Sequence, residues 1–152
     1  MAYIHTRGIA HNQLFPINVL HCNPNQPEIK LIDFDESGNQ PVRDLDKYLR
    51  FGDYRGCYIA PETVKGQWNI KCDEWAVGIT MYYMLKGDVP FFGYDHKETL
   101  QLITAYNFDK SSDYWNAISE EGRDLILRLM AYKPDDRISA QDALNHPWFK
   151  RA

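Results

Sequence analysis

Apolar and polar residues follow three different patterns along this chain. In CDEWAVGITMYYML, residues 72–85, apolar side chains fall on nearly every face at helical spacing, which predicts a helix enclosed by protein. Gly87, Pro90 and Gly93 end it, and ETLQLITAY (98–106) predicts a second, short helix. SEEGRDLILRLMA (119–131) groups Leu125, Ile126, Leu129 and Met130 on one face, behind Ser119 as N-cap and two acids at the positive helix end. Ser139 followed by Asp142 has capping-box spacing and predicts a final helix, SAQDALNHPWF. Strand patterning is confined to Val19-Leu20 and Ile29-Lys30-Leu31-Ile32, separated by the turn-forming CNPNQPE, so a small β-hairpin is expected. MAYIHTR can make at most two helical turns before Gly8, a helix stop. Residues 33–59 mix charges, Gly and aromatics without a period and read as one long irregular segment, usually functional or disordered.

A chain of 152 residues with 44% hydrophobic content is expected to be one domain, 1–152, with a packed core. Lys+Arg (17) falls short of Asp+Glu (21), giving a net charge of −4 and no basic footprint for nucleic acid or an anionic membrane. Cys22, Cys57 and Cys72 lack disulfide-framework or zinc spacing, so a reducing, intracellular and cytoplasmic setting is expected. No apolar run is long enough to span a bilayer, and MAYIHTRGIAH lacks a signal-peptide apolar core; a soluble protein is expected.

Taken together, GIAHNQLFPINVL, IKLIDFD, CYIAPE, KCDEWAVGI and KPDDRISAQDALNHPWF resemble, in order, five motifs of the C-terminal lobe of eukaryotic protein kinases. The group most similar is that of the calcium/calmodulin-regulated and calcium-dependent kinases. The resemblance covers essentially the whole chain and implies a mainly α, kinase C-lobe fold with a small hairpin beside the catalytic loop. It implies an ion pair between Glu62 and Arg137, 75 positions apart, that anchors the activation segment. It implies that Asp73 accepts hydrogen bonds from the catalytic-loop backbone, besides its simpler role at a helix start, and that His11 and Phe34 stack with it as an internal spine.

The chemistry departs from this frame. In active kinases the loop reads H-R-D-x-K-x-x-N, in which Asp accepts the substrate proton, Lys steadies the γ-phosphate and Asn holds Mg²⁺. The corresponding residues are Asn12, Gln13, Phe15 and Asn18. A glutamine amide cannot take a proton, and loss of a general base costs about 10²–10⁴ in rate. Phe15 removes a cation where negative charge accumulates. Asn12 removes the arginine that receives an activation-loop phosphate, Arg55 stands about where a threonine of the peptide-binding loop would, and Ile17 replaces an acid that reads basic peptides. The Gly-rich loop, strand lysine and helical glutamate of the N-lobe have no counterpart in the sequence, so an N-lobe is expected to be absent. Asn18 and Asp33 match the magnesium ligands and Leu20 an adenine-floor position. Mg²⁺ or Mn²⁺ is expected to bind weakly at best, and ATP is not expected to be held by this chain alone.

Asp35 replaces the usual glycine after Asp33-Phe34. DFDESGNQPVRD also fits a calcium-loop template, with Asp33, Asp35 and Ser37 at positions one, three and five, Gly38 at six and Asp44 at twelve. Its strand-like approach, Gln40 at position eight and an Asp at twelve depart from that template. A solvated acidic loop is preferred over Ca²⁺ binding, although three carboxylates near Asn18 could hold a divalent ion without nucleotide. His5, His21, His96 and His146 have no metal-ligand spacing and read as surface or packing residues, and Trp68, Trp75, Trp115 and Trp148 as core or edge packing.

The sequence therefore reads as a degenerate, catalytically inactive kinase-like C-lobe or fragment acting as a binding or scaffolding module. One alternative is part of a calcium-dependent-type Ser/Thr kinase that transfers phosphate from ATP; another is a divalent-metal-binding interaction domain. In the family the first helix is longer and packs on the central helix. Its truncation is expected to expose an apolar groove that serves a protein partner or self-association.

Overall fold

The computed structural model describes residues 1–23, 25–40 and 54–151. Helix α1 (Ala2–His5) is barely one turn. It stops where Gly8 takes φ +69°, with the Ile9 N–H reaching back to Ile4 O (3.2 Å) and the Gly8 N–H to His5 O (2.9 Å). This pair of bonds is a glycine-terminated helix cap. Strands β1 (Val19–His21) and β2 (Ile29–Leu31) form an antiparallel hairpin in the register Val19↔Leu31, Leu20↔Lys30 and His21↔Ile29. Ala10 and Gly38 make an isolated bridge, joining the segment after the hairpin to the loop before it.

Helix α2 (Pro61–Val64) leads to the central α3 (Cys72–Lys86), which ends on Gly87 in the left-handed region. Then follow α4 (His96–Ala105), α5 (Asp113–Ala117), α6 (Glu120–Leu129) and α7 (Ala140–Ala143). Asp95 caps α4 by accepting from the Glu98 N–H at 2.8 Å, so the helix begins earlier than its apolar pattern. Ser119 and Ser139 cap α6 and α7 as their spacing predicts.

Three expectations are corrected. The central helix is not enclosed throughout: its last turn carries Tyr83, Met84 and Leu85 into solvent, because apolar patterning does not register that a helix outruns its core. SAQDALNHPWF is not one helix. Pro147 cannot continue α7, so the chain turns through buried His146 into a 3₁₀ turn at Pro147–Arg151. Within the span read as irregular, Tyr54–Tyr58 is a helical turn burying Gly56, Cys57 and Tyr58, whereas residues 41–53 lie outside the described residues.

The core sits where α3 crosses α6. A Cβ at Gly78 would lie 2.5 Å from Met130 Cγ and 3.0 Å from Leu129 Cβ, so glycine sets how closely the two helices approach. On an adjacent face of α3, Trp75 stacks on Phe91 with centroids 5.6 Å apart and planes within 10°. Tyr82 meets Trp115 and Phe108, extending an aromatic layer beneath the helix. Among the described residues no helix is long and apolar enough to cross a membrane.

Candidate functional site

The loop 11–18 is held from below by Asp73, buried in the first turn of α3. Its carboxylate accepts from the His11 N–H (2.7 Å) and the Asn12 N–H (3.0 Å), fixing both loop residues to the central helix. The fully buried His11 ring donates from Nε2 to Ile32 O (3.0 Å), with Nδ1 accepting from the Gln13 N–H (3.3 Å). His11 and Phe34 do meet, at 4.5 Å between centroids and tilted by 52°. Asp73 joins them through backbone hydrogen bonds instead of stacking, and Phe34 remains 42% exposed.

Gln13 and Phe15 both point away from solvent, at 5% and 6% exposure. Phe15 belongs to the apolar cluster with Leu14, Cys57 and Tyr58, and sets its ring edge-on to Tyr58 at 5.7 Å. Asn18 is buried, and its Nδ2–H donates to Gln13 O at 2.9 Å. The Ile32 N–H bonds to Asn18 O at 3.0 Å, which extends the hairpin pairing and puts Asp33 one residue beyond Asn18's partner. Asp33 takes φ +63° and is exposed, as is Asp35. Leu20 lies on β1, largely exposed.

Tested as an ion site, this corner offers the oxygens of Asn18 and Asp33, a donor set that holds Mg²⁺ firmly only when phosphate oxygens complete it. The three-carboxylate site is not assembled: among the described residues no three His, Cys, Asp or Glu side chains converge at metal-binding distance. Residues of the calcium-loop template are engaged in other bonds. Gly38 pairs with Ala10, the Ser37 hydroxyl donates to Phe34 O (2.6 Å), and Asp44 lies outside the described residues.

Glu62 and Arg137 meet as a buried bidentate pair, with both N–H···O distances 2.6 Å. The remaining guanidinium N–H groups donate to Ala131 O, Lys71 O and Tyr132 O, and the group lies 5.1 Å over the Trp75 ring.

Sequence reasoning missed three participants. Asn12, at φ +64°, uses its whole amide: Nδ2 donates to Glu36 O (2.7 Å) and Gln40 O (3.1 Å), while Oδ1 accepts from Trp68 Nε1 (3.2 Å) and Cys72 Sγ (3.4 Å). Burial, then the Asp73 charge, pushes the Cys72 thiol up and keeps it a donor. His5 is no mere packing residue: Nε2 lies 2.9 Å from Asp73 Oδ2 and Nδ1 3.1 Å from Glu74 Oε1. Glu74, 3% exposed, also accepts from the Ala140 N–H (2.9 Å). The signal available for it was an acid within the first turn of a helix predicted to be enclosed.

Two hollows flank this framework. A cleft of about 500 Å³ beside the loop is lined by Phe15, Ile17, Tyr54, Arg55, Tyr58 and Tyr83, among others. An apolar groove of about 400 Å³ lies on the opposite flank, between α1, α3, α6, α7 and Phe149.

The comparisons with known proteins agree with this architecture. The protein kinase domain family profile matches residues 1–149. Calcium-dependent protein kinase 3 of Plasmodium berghei is 35% identical over 150 residues, 98% of this chain and 27% of that protein. Human death-associated protein kinase 2 is 34% identical over 151 residues, 96% of this chain and 40% of that protein. The chain thus spans between about a quarter and two fifths of these relatives' length. Among solved structures, a C. elegans twitchin kinase fragment superimposes with a TM-score of 0.84 at 29% identity, over 97% of this chain and 32% of that one. With the loop fastened to the central helix, the Glu62–Arg137 anchor in place and the profile running almost end to end, this chain belongs to the protein kinase domain family.

Proposed function

We propose that this chain is a catalytically inactive kinase-type C-lobe that works by binding other proteins. The observation carrying this reading is the burial of Phe15 among Leu14, Cys57 and Tyr58. The residue at the phosphate-steadying position is part of the core, so neither its chemistry nor its placement supplies a cation to a transferring phosphoryl group. Gln13 at the base position has an amide with no proton affinity to offer a substrate hydroxyl. The framework residues, by contrast, keep their supporting bonds, which favours a part retained for its surface. The cleft beside the loop presents Ile17 at the position where an acid would read a basic peptide, although Asp88 and Arg55 also line it.

Phosphotransfer from ATP, as the relatives' names indicate for those proteins, is the competing reading. It is favoured by the adjacency of Asn18 and Asp33 across the hairpin pairing. The test is a phosphotransfer assay with Mg–ATP and Mn–ATP, together with thermal unfolding in Mg²⁺, Mn²⁺ or Ca²⁺ with and without ATP. No transfer and no nucleotide-dependent shift are expected. Robust transfer by the unmodified chain overturns the inactive reading, and a shift with metal alone supports a divalent-ion interaction domain instead.

A further inference from the structure

The loop and α1 are fastened to one carboxylate oxygen. Asp73 Oδ2 accepts from the His11 N–H at 2.7 Å and lies 2.9 Å from His5 Nε2, while Oδ1 takes the Asn12 N–H at 3.0 Å. The other nitrogen of the same ring, His5 Nδ1, lies 3.1 Å from Glu74 Oε1, an oxygen that also accepts from the Ala140 N–H at 2.9 Å. An ionised carboxylate only accepts, so both ring nitrogens must donate. The imidazolium alone carries two N–H groups.

The acids facing the ring are Asp73 and Glu74, neighbours in the first turn of α3, 1% and 3% exposed. From α7 the cluster receives the neutral Ala140 N–H, and from the loop the backbone N–H groups of His11 and Asn12. The His11 ring is engaged elsewhere, with Ile32 O and the Gln13 N–H, and Arg7, just past α1, lies 3.7 Å over the Tyr3 ring. Among the described residues His5 is the one cation paired with either acid.

Burial opposes charge on His5, yet its hydrogen bonds to the two acids prevail and raise its pKa from 6.5 to about 9. The cation is therefore present at neutral pH and is lost as pH rises through about 9. A neutral ring has one N–H for two acids. One buried carboxylate then loses a donor, and two adjacent negative charges remain in the interior without a countercharge. Asp73 can relax only by moving the oxygens that hold His11 and Asn12.

We infer that α1 is a latch on the loop: the His5 imidazolium, bridging Asp73 and Glu74, holds the Asp73 carboxylate against the His11 and Asn12 amides, and removing its charge or lifting α1 away releases them. His5 is thus a positioning residue, acting on the loop through Asp73. The relation holds whether or not the chain transfers phosphate.

The test is NMR-detected hydrogen exchange of single amides on the full chain, from about pH 6 to about pH 10, with each rate corrected for intrinsic exchange. Protection of the His11 and Asn12 amides should fall through about pH 9 by about tenfold more than that of the Met130 amide, which bonds to Ile126 O and follows the chain as a whole. His5→Gln cannot be charged, so its two loop amides should already be weakly protected at neutral pH and show no step. His5→Arg stays cationic throughout and should keep them protected across the range.

A wild-type fall equal at Met130 and at the loop amides overturns the inference, because the loop then has no separate latch. The same step surviving in His5→Gln overturns it by assigning the titration to another group. A step confined to the Ala140 amide also overturns it, since the charge would then act on Glu74 alone. The wild-type profile decides the matter even where a variant does not fold.

Discussion

Arg137 grips Glu62 from 75 positions away with two parallel hydrogen bonds of 2.6 Å, and its other three N–H groups each find a backbone carbonyl. Such a buried fork is far more sensitive to losing one partner than to losing both. Glu62→Gln or Arg137→Met should each lower unfolding free energy by about 3–5 kcal/mol in urea titrations. The double variant Glu62→Met/Arg137→Met should lose distinctly less than the sum. Additive losses would mean that the two side chains act independently.

His5 gives stability a pH dependence. Burial opposes its charge, but hydrogen bonds to Asp73 and Glu74 raise its pKa from 6.5 to about 9. Because the folded value is the higher one, the stabilisation is fully present below pH 6.5 and is lost as pH rises through about 9. The gap in thermal midpoint between wild type and His5→Gln should therefore be widest below pH 6.5 and shrink above pH 9. A gap constant across that window would rule out the ion pair as its source.

Restoring the loop's chemistry should not restore activity. Gln13→Asp with Phe15→Lys puts a charge into the cluster of Leu14, Cys57 and Tyr58 and removes an aromatic ring that fills it. We expect a stability loss of at least about 3 kcal/mol by chemical denaturation and no phosphotransfer from Mg–ATP. Measurable turnover by a stably folded double variant would show that residue identity at these two positions was the whole obstacle.

The crossing of α3 and α6 tolerates no side chain at Gly78. Gly78→Ala adds a methyl group 2.5 Å from Met130 Cγ and should cost about 1–3 kcal/mol, despite alanine's better helix propensity. Combined with Met130→Ala, whose own loss of buried side chain is costly, the double variant should lose distinctly less than the sum of the two single losses if the clash is local.

What the sequence revealed depended on whether the cause was local. The hairpin, the Ser119 and Ser139 caps and the amphipathic face of α6 each arise from residues within a few positions of one another, and all are present in the structure. The wide Glu62–Arg137 spacing was legible only because both lie in recognisable motifs. His5 was misread because its partners, Asp73 and Glu74, belong to a helix 68 and 69 positions away and no spacing rule connects them. The length of α7 was overestimated because patterning carried the helix past a proline. Asp33 and Asp35 are exposed, and among the described residues no three His, Cys, Asp or Glu side chains form a group able to hold a metal ion, so closeness in sequence alone does not converge carboxylates.

Asn12 occupies a position where a charged side chain would sense an incoming phosphate, and it instead spends its amide on four neutral neighbours. Those bonds tie residues 36 and 40, Trp68 and the start of α3 to a single side chain, so none of these segments can lift away without disturbing the rest. The region should therefore open as one cooperative unit in hydrogen exchange, with the amides of His11, Asn12 and Gly38 exchanging at a common rate. Asn12→Ala should split that unit into independently fraying parts. A rivet behaves the same way: it holds every plate at once, and it gives only when it shears.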